Sequence, residues 1–597
     1  MNQRILILSF LGLTLPLSSL IASTEGLSQE AYLKSTNIGS DVFGSAVAVS
    51  GRFAVVSAPA EDSSGTGVNS VPDDLAANAG AAYLYERVAG VWTFHSYLKA
   101  SNTDAGDDFA TAVVIDGDLL AISATGESSN ATGINGDESN NDAMNSGAVY
   151  IFRLDGNTWV QEAYLKASNS DTNDRFGNAL ALDGDTLVVG AEDDEGSNTE
   201  TGSVYVYVRS EGVWTEQARL NATVYGNRDE FGAAVSIDGD TLVVGAPSED
   251  GSATGVNGVI DNDGNNAGAA YVFTRNGGTW SETAYLKASN TDPEDRFGST
   301  VTISGNTIAV GSTQERGSVG GINPVTDNEV LRTGAVYVFV DQGAGWEPQA
   351  TIKAAYPAQN DEFGNEVILS GDLLVAASYK ESGASIGIDG DETTDAAASS
   401  GAIYLFTREG STWSQARYFK ASNAGDGDQF GASLALHHED AGDLILVGAP
   451  FEDGSSPGVN GADNNSWGNA GAAYAFSIPR PVIGVKLGNT DLTSNAATRN
   501  LGKVETGKKA RAKTFTINSL GWSDLSELRI VASGKQRRDF KFTQPASKTL
   551  APDTSTTFRV TFRPRAKGPR KATLLITSNA PKSNPFVLNV TGKARGR

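Results

Sequence analysis

The chain has 597 residues, 68 of them glycine, no cysteine and only three histidines, His95, His437 and His438. This excludes disulfides, thiolate catalysis and thiolate metal sites, and leaves little from which to build a histidine-based catalytic or zinc centre. Charge is unevenly divided: residues 484–597 hold 23 Lys and Arg against 6 Asp and Glu, net +17, and the remainder holds 22 against 65, net −43, within an overall −26, which predicts two physically different modules.

At the N-terminus Arg4 precedes a largely apolar run, residues 5–21, interrupted by Pro16 and followed by the small residues Ala22 and Ser23. This is the pattern of a secretory signal over residues 1–23. It predicts an exported protein, secreted, periplasmic or held at the cell surface, with no transmembrane segment once the signal is removed.

From residue 28 to residue 481 one unit of about 65 residues repeats. Its marker is D-x-F-[GA], with Asp at 41, 107, 174, 229, 295, 361 and 428 and Phe two residues later. The Phe spacings are 66, 67, 55, 66, 66 and 67 residues. Each unit shows four strand-like runs. FGAAVSIDGD exemplifies the first and TLVVGAP the second. GAAYVF is the third, opened by Gly80, Gly147, Gly202, Gly268, Gly334, Gly401 or Gly471. A fourth starts near Trp92, Trp159, Trp214, Trp280, Trp346 or Trp413 and ends in AYLKAS or a relative of it. The seventh unit has no such fourth run, whereas residues 30–34 (EAYLK) stand alone before the first Phe-Gly. The N-terminal strand is therefore expected to complete the last unit, closing a ring and removing two sheet edges. Four short strands repeated seven times predict an all-β chain with a seven-bladed β-propeller.

The Phe-Gly pairs, together with Gly245-Ala246-Pro247 and Gly448-Ala449-Pro450, resemble the FG-GAP repeats of the integrin α-chain propeller family. The resemblance implies the propeller fold and a role in adhesion, scaffolding or binding. Members of that family often carry a D-x-D-x-D-G calcium loop between strands one and two. Here that link is a tight Asp-Gly turn, such as Asp238-Gly239-Asp240, with too few oxygens for calcium.

The long loops instead join strands two and three. In the loop 248–267, Asp261, Asp263 and Asn265 have the alternate spacing of a calcium loop and are the candidate metal ligands, calcium being the implied ion; no other cofactor is implied. In an up-and-down blade these loops share one face with the Asn/Asp-rich links before each Phe, so an acidic ligand face is expected there. The Asp before each Phe is read as a turn-forming carboxylate bound to its own loop backbone. The Lys of AYLK (Lys34, Lys99, Lys166, Lys287, Lys353, Lys420) is expected to face solvent or protect a strand edge. No G-x-S-x-G occurs in a strand–turn–helix context, and His437-His438 should point to opposite faces of a strand, so no catalytic residues are assigned.

From about residue 484 the repeat stops. Runs at 512–517, 528–532, 540–543, 556–562, 572–577 and 585–591 predict an immunoglobulin-like β-sandwich. TTFRVTFRP and ATLLITSNAP resemble the ASPM/SPD-2/Hydin type and the choice-of-anchor D domains of bacterial surface proteins, which implies an attachment or spacer module. Its basic segments suit an anionic envelope surface, and the lack of interleaved aromatics argues against nucleic acid. The reading is an exported, non-enzymatic binding, adhesion or surface-scaffold protein with an extracellular protein or glycan ligand. The alternatives are a polysaccharide-acting propeller enzyme using loop carboxylates, and a purely structural spacer.

Overall fold

The computed structural model describes residues 27–37, 39–194, 201–223, 226, 228–259, 261, 263–325, 327–439, 442–462, 468–495, 498–521, 523–552, 554–580 and 584–596. The predicted signal segment, 1–23, lies outside them. The described residues contain no α-helix, and none of their elements is a helix long and apolar enough to cross a membrane. Two compact units separate at Ile478 and Pro479.

In the first unit, Ser28–Ile478, the repeat becomes seven antiparallel sheets. Strand alternation and the Asp-Gly turn set each opening hairpin. Ile237 pairs with Leu242 and Asp238 with Thr241, and Gly239 between them takes φ +58°, a conformation glycine adopts without a Cβ penalty. The first strands are Val47–Ser50, Phe109–Asp116, Leu180–Asp183, Ala234–Asp238, Phe297–Ser304, Val367–Ser370 and Ser433–Glu439. Each packs beside the first strand of the next sheet, and the seventh packs beside the first. Together they line a central cavity of about 580 Å³.

Neighbouring sheets are joined by one bond repeated seven times. The amide of each Phe in D-x-F donates, at 3.0–3.3 Å, to the carbonyl just before the glycine that opens the third strand of the preceding sheet. Phe109 thus reaches Ala79, and Phe43 reaches Ala470. Those glycines have φ of 74–82°, and a Cβ on any of them would lie 2.0–2.2 Å from the Phe carbonyl oxygen. Only glycine satisfies both the backbone angle and the approach. Each Phe ring is buried edge-on against the Tyr of its own third strand, at 5.3–5.5 Å. This fixes the Tyr of GAAYVF and the Phe of D-x-F as one packing pair per sheet.

The seventh sheet is assembled from both ends of the unit. Strand Ser28–Lys34 pairs antiparallel with Ala472–Pro479, Tyr32 opposite Tyr474 and Leu33 opposite Ala473. It takes the place that a Trp-led fourth strand holds in the other sheets.

The second unit has two sheets. Five strands, in the order Thr490–Leu492, Ile483–Leu487, Lys513–Ser519, Ser555–Phe562 and Phe540–Phe542, form one. Thr498–Glu505, Phe586–Arg595, Gly568–Thr577 and Arg529–Ser533 form the other. Alternate residues of both supply one core, including Phe515, Phe558, Val560, Leu574, Ile576 and Leu588. That period-two alternation is what a two-sheet sandwich requires.

Removal of residues 28–34 should leave Ala472–Pro479 as an unpaired edge and expose the apolar cluster of the first and seventh sheets. The expected outcome is a lower melting temperature and self-association on size-exclusion chromatography. An unchanged melt and a monomeric elution would contradict the role given to this strand.

Candidate functional site: the loop face

The links before each Phe and the loops between strands two and three lie at the same end of the sheets and bond to one another. Gly106 N donates to Ala77 O at 2.9 Å, Asn102 Nδ2 to Glu138 O at 2.9 Å, and Asn328 Nδ2 to Asp292 Oδ2 at 3.0 Å. Six of the long loops share a Gly-[Val/Ile]-[Asn/Asp] step, as at Gly255-Val256-Asn257. Its last residue is left-handed, with φ of 51–57°, and its side chain accepts the amide of the fourth-strand residue beside it, as Asn257 Oδ1 does from Tyr285 at 2.9 Å. Each step thus clips its loop to the outer strand and covers part of a free sheet edge. The third sheet has no such step, which accounts for its 55-residue spacing.

The lysines of AYLK are not at the surface. Lys34, Lys99, Lys166, Lys287, Lys353 and Lys420 are buried, each in an ion pair with the acid three residues after the end of the second strand. Lys34 meets Glu452 at 2.6 Å, Lys99 Glu61 at 2.9 Å, Lys166 Glu127 at 2.7 Å, Lys287 Glu249 at 2.8 Å and Lys420 Glu381 at 2.6 Å; Lys353 pairs with Glu315. In four sheets a fourth-strand Tyr hydroxyl donates to the same glutamate, as Tyr285 does to Glu249 at 2.9 Å. Burial drives the Lys34, Lys99, Lys166, Lys287 and Lys420 pKa values down, and the paired glutamate opposes it. The expectation of solvent-facing lysines is therefore corrected: the ammonium sits under the loop it anchors. In the third sheet the set changes together. Arg219 replaces the Tyr, Asn221 the Lys and Asp194 the Glu, and Arg219 bonds Asp194 at 2.9 Å.

The Asp of D-x-F is buried in every unit and accepts from the amide of the link behind it. Asp107, Asp174, Asp295, Asp361 and Asp428 bond the residue three earlier at 2.6–3.1 Å, and Asp229 bonds Gly226. This is the turn role read from the sequence. Burial pushes Asp41, Asp107, Asp174, Asp295 and Asp361 up to about 7 and Asp229 to about 6. Loop acids nearby, such as Glu315 beside Asp295, act in the same direction. The residue after each Asp is left-handed at φ 50–59°, which turns the chain into the Phe.

Asp261, Asp263 and Asn265 are not focused on one point by their side-chain bonds. Asp261 accepts the Ser252 amide at 2.7 Å and its hydroxyl at 2.8 Å, and the amide of Asp263 reaches Asp261 at 3.3 Å. The Asn265 side chain donates to Glu294. The Ser–Asp clamp recurs as Ser64–Asp73 and Ser318–Asp327, and holds Asp73, Asp261 and Asp327 below the ordinary carboxylate range. Among the described residues no three His, Asp or Glu side chains are grouped to hold one cation. His437 accepts the Gly51 amide and His438 bonds Asp443, so the two rings have separate partners. Glu366 is the one charged side chain lining the central cavity among the described residues, and burial pushes it up to about 8.

The loop tips carry a feature the sequence reading missed. Val71, Leu75, Val259 and Val325 are more than 80% exposed, and Met144 and Ile386 more than half. All six belong to the loops between strands two and three, amid Asp and Asn. Apolar residues isolated within long polar loops, five of them after the Gly-[Val/Ile]-Asn clip and Ile386 just before Gly387-Ile388-Asp389, are the signal that would have found them.

Residues 92–152, 159–207, 214–273 and 280–339 match the family model of the FG-GAP repeat, and residues 491–593 match that of the HYDIN/CFA65/VesB-like Ig-like domain. The chain thus carries FG-GAP repeats followed by a HYDIN/CFA65/VesB-like Ig-like domain. No curated protein matches it by sequence. Among solved structures, it resembles a family 123 glycoside hydrolase from Clostridium perfringens with 8% identity and a TM-score of 0.16. That likeness covers 20% of this chain and 27% of the hydrolase. It also resembles PapD-like domain 7, an ASH domain, of human CEP192, with 11% identity and a TM-score of 0.13, over 19% of this chain and 86% of that one. Neither likeness supports a functional argument.

Two outcomes test the site's energetics. Glu249→Ala leaves the Lys287 ammonium buried and unpaired and should destabilise the protein by about 3–5 kcal/mol in denaturant melts, whereas Glu249→Leu with Lys287→Met should recover most of the loss. Equal melts for the single and double variants would contradict the pairing. The second outcome is a pH dependence. The fold raises the buried Asp carboxyls from 3.8 to about 7, so their contribution is full below about pH 4 and is lost as pH rises through 7. The melting temperature should rise between pH 8 and pH 5.5, and Asp295→Asn should flatten that rise; an unaltered slope in the variant would remove Asp295 from the account.

Proposed function

We propose that the seven sheets form a seven-bladed β-propeller, and that the protein is an exported, non-enzymatic binding or scaffold protein whose loop face takes an extracellular protein or glycan ligand. The seven-membered cycle of bonds from each Phe amide to the carbonyl before the third-strand glycine of the preceding sheet supports the propeller. The observation that carries the binding role is the set of exposed aliphatic tips on loops held rigidly by buried ion pairs and edge clips. Apolar tips in an acidic field offer contact area and a charge preference together. The basic C-terminal domain serves as the attachment module toward an anionic envelope surface.

The test is an array of extracellular proteins and glycans probed with the full chain, with and without calcium, and with product analysis of every glycan. Retention on at least one component, weakened when Val71, Val259 and Val325 become Ser, is expected. Turnover of a glycan that is lost on replacing loop carboxylates would instead establish the enzyme reading. No retention at all would leave the spacer.

A further inference from the structure

The C-terminal domain carries its charge at one end of the sandwich. The segment 503–513 runs there beside the end of the last strand, with Thr506 N donating to Arg595 O at 3.1 Å and Gly507 N to Pro564 O at 2.9 Å. Arg563 N donates to Asp539 O at 2.7 Å, and Lys571 N to Gln536 Oε1 at 2.8 Å. These bonds gather the cations of residues 503–513, 535–541, 563–571 and 593–595 around two acids, Glu505 and the buried Asp539. Asp539 is already engaged by Arg570, at 3.5 Å.

On the outward face of the four-stranded sheet, next to this end, lies a cleft of about 640 Å³. Strand register orders the chemistry of this face in rows, of which the cleft takes in the middle ones, Thr573, Asn589 and Thr498, and Lys571 and Thr591. Val531, Leu575 and Val587 form an apolar row, and Val531 is 41% exposed. Next come Ser533, Thr573, Asn589 and Thr498, then Lys571, Thr591 and Asn500, then Lys593 and Lys503. Lys535 and Gln536 wall the cleft at its edge. Thr573 donates to Asn589 at 2.9 Å, which orients that row, while Lys535 and Lys571 have no ion-pair partner among the described residues.

We propose that this cleft binds an acidic polysaccharide. Its hydroxyls would lie on the Thr and Asn groups of the cleft and its carboxylates or sulfates on Lys535 and Lys571, with the chain running on over the apolar row on one side and toward Lys593 on the other. The order of the rows favours this partner over other polyanions. Nucleic acid held by a single strand needs exposed aromatic rings, and the described aromatic residues of this domain are buried or partly buried. A bilayer needs exposed apolar residues at the charged tip; among the described residues of this domain the large exposed hydrophobics are Leu520 and Val531, and neither belongs to the segments that carry the charge. The inference rests on the attachment role proposed above and names its partner.

The experiment measures binding of the full chain to polygalacturonate and dextran sulfate, with neutral dextran, phosphatidylglycerol vesicles and duplex DNA as the other arms, over a range of salt. Lys535→Gln with Lys571→Gln should weaken binding to both acidic polysaccharides about tenfold with an unchanged melt. Lys486→Gln with Arg559→Gln, both in the five-stranded sheet, should leave binding within about twofold. Unaltered binding in the Lys535/Lys571 variant, or tighter binding to vesicles or DNA than to the polysaccharides at the same salt, would overturn the proposal. Polysaccharide binding that is lost in the Lys535/Lys571 variant while attachment to cell envelopes persists would keep the cleft and reject the attachment role.

Discussion

A phenylalanine amide must reach a carbonyl in the preceding sheet, and the glycine beside that carbonyl must leave room. This contact occurs seven times, and the rest of the first unit is arranged around it. The left-handed residue after each Asp aims the Phe, the Asp holds the link that delivers it, and the Tyr of the third strand receives its ring. None of these parts tolerates displacement alone. The one variant, Ala110, stands at φ +73°, where the glycine of the other units would be at ease.

The buried lysine–acid pairs belong to the same logic at the outer edge. Each glutamate also accepts, through its backbone carbonyl, the amide of the glycine that opens the third strand, as Glu249 does from Gly268 at 2.8 Å. The acid therefore touches both the ring-closing glycine and the outermost strand. Replacing such a pair by apolar residues need not lower stability. The pairs serve register: a buried ammonium and carboxylate accept one arrangement, which holds a polar loop such as 248–267 in place.

Much of this was readable in the sequence. D-x-F-[GA] and the third-strand glycine are short, in phase and nearly invariant across the units, because local geometry allows little else. The turn role of the Asp was readable for the same reason. The lysines were not, because a Lys on an outer strand has the usual look of an exposed residue, and its glutamate lies 38 residues away in a loop already rich in acids, as Glu249 does from Lys287. The clue was the third unit, where Tyr, Lys and Glu give way together to Arg219, Asn221 and Asp194. The apolar loop tips and the ordered rows of the C-terminal cleft depend on tertiary placement and strand register, which composition alone does not convey.

The strand Ser28–Lys34 meets its partners late. Tyr32 donates its hydroxyl to Glu452, 420 residues further along the chain, and Lys34 joins the same carboxylate. On a ribosome, that first strand emerges among the earliest segments and has no sheet to enter until the seventh third-strand, Ala472–Pro479, has followed. Closure of the cycle is thus a late, long-range event of high contact order, and its rate is governed by the search between distant ends of one chain. A chain interrupted before residue 472 keeps two open edges, one at each end of a partial arc. The arrangement ties closure of the first unit to the synthesis of its last strand, Ala472–Pro479.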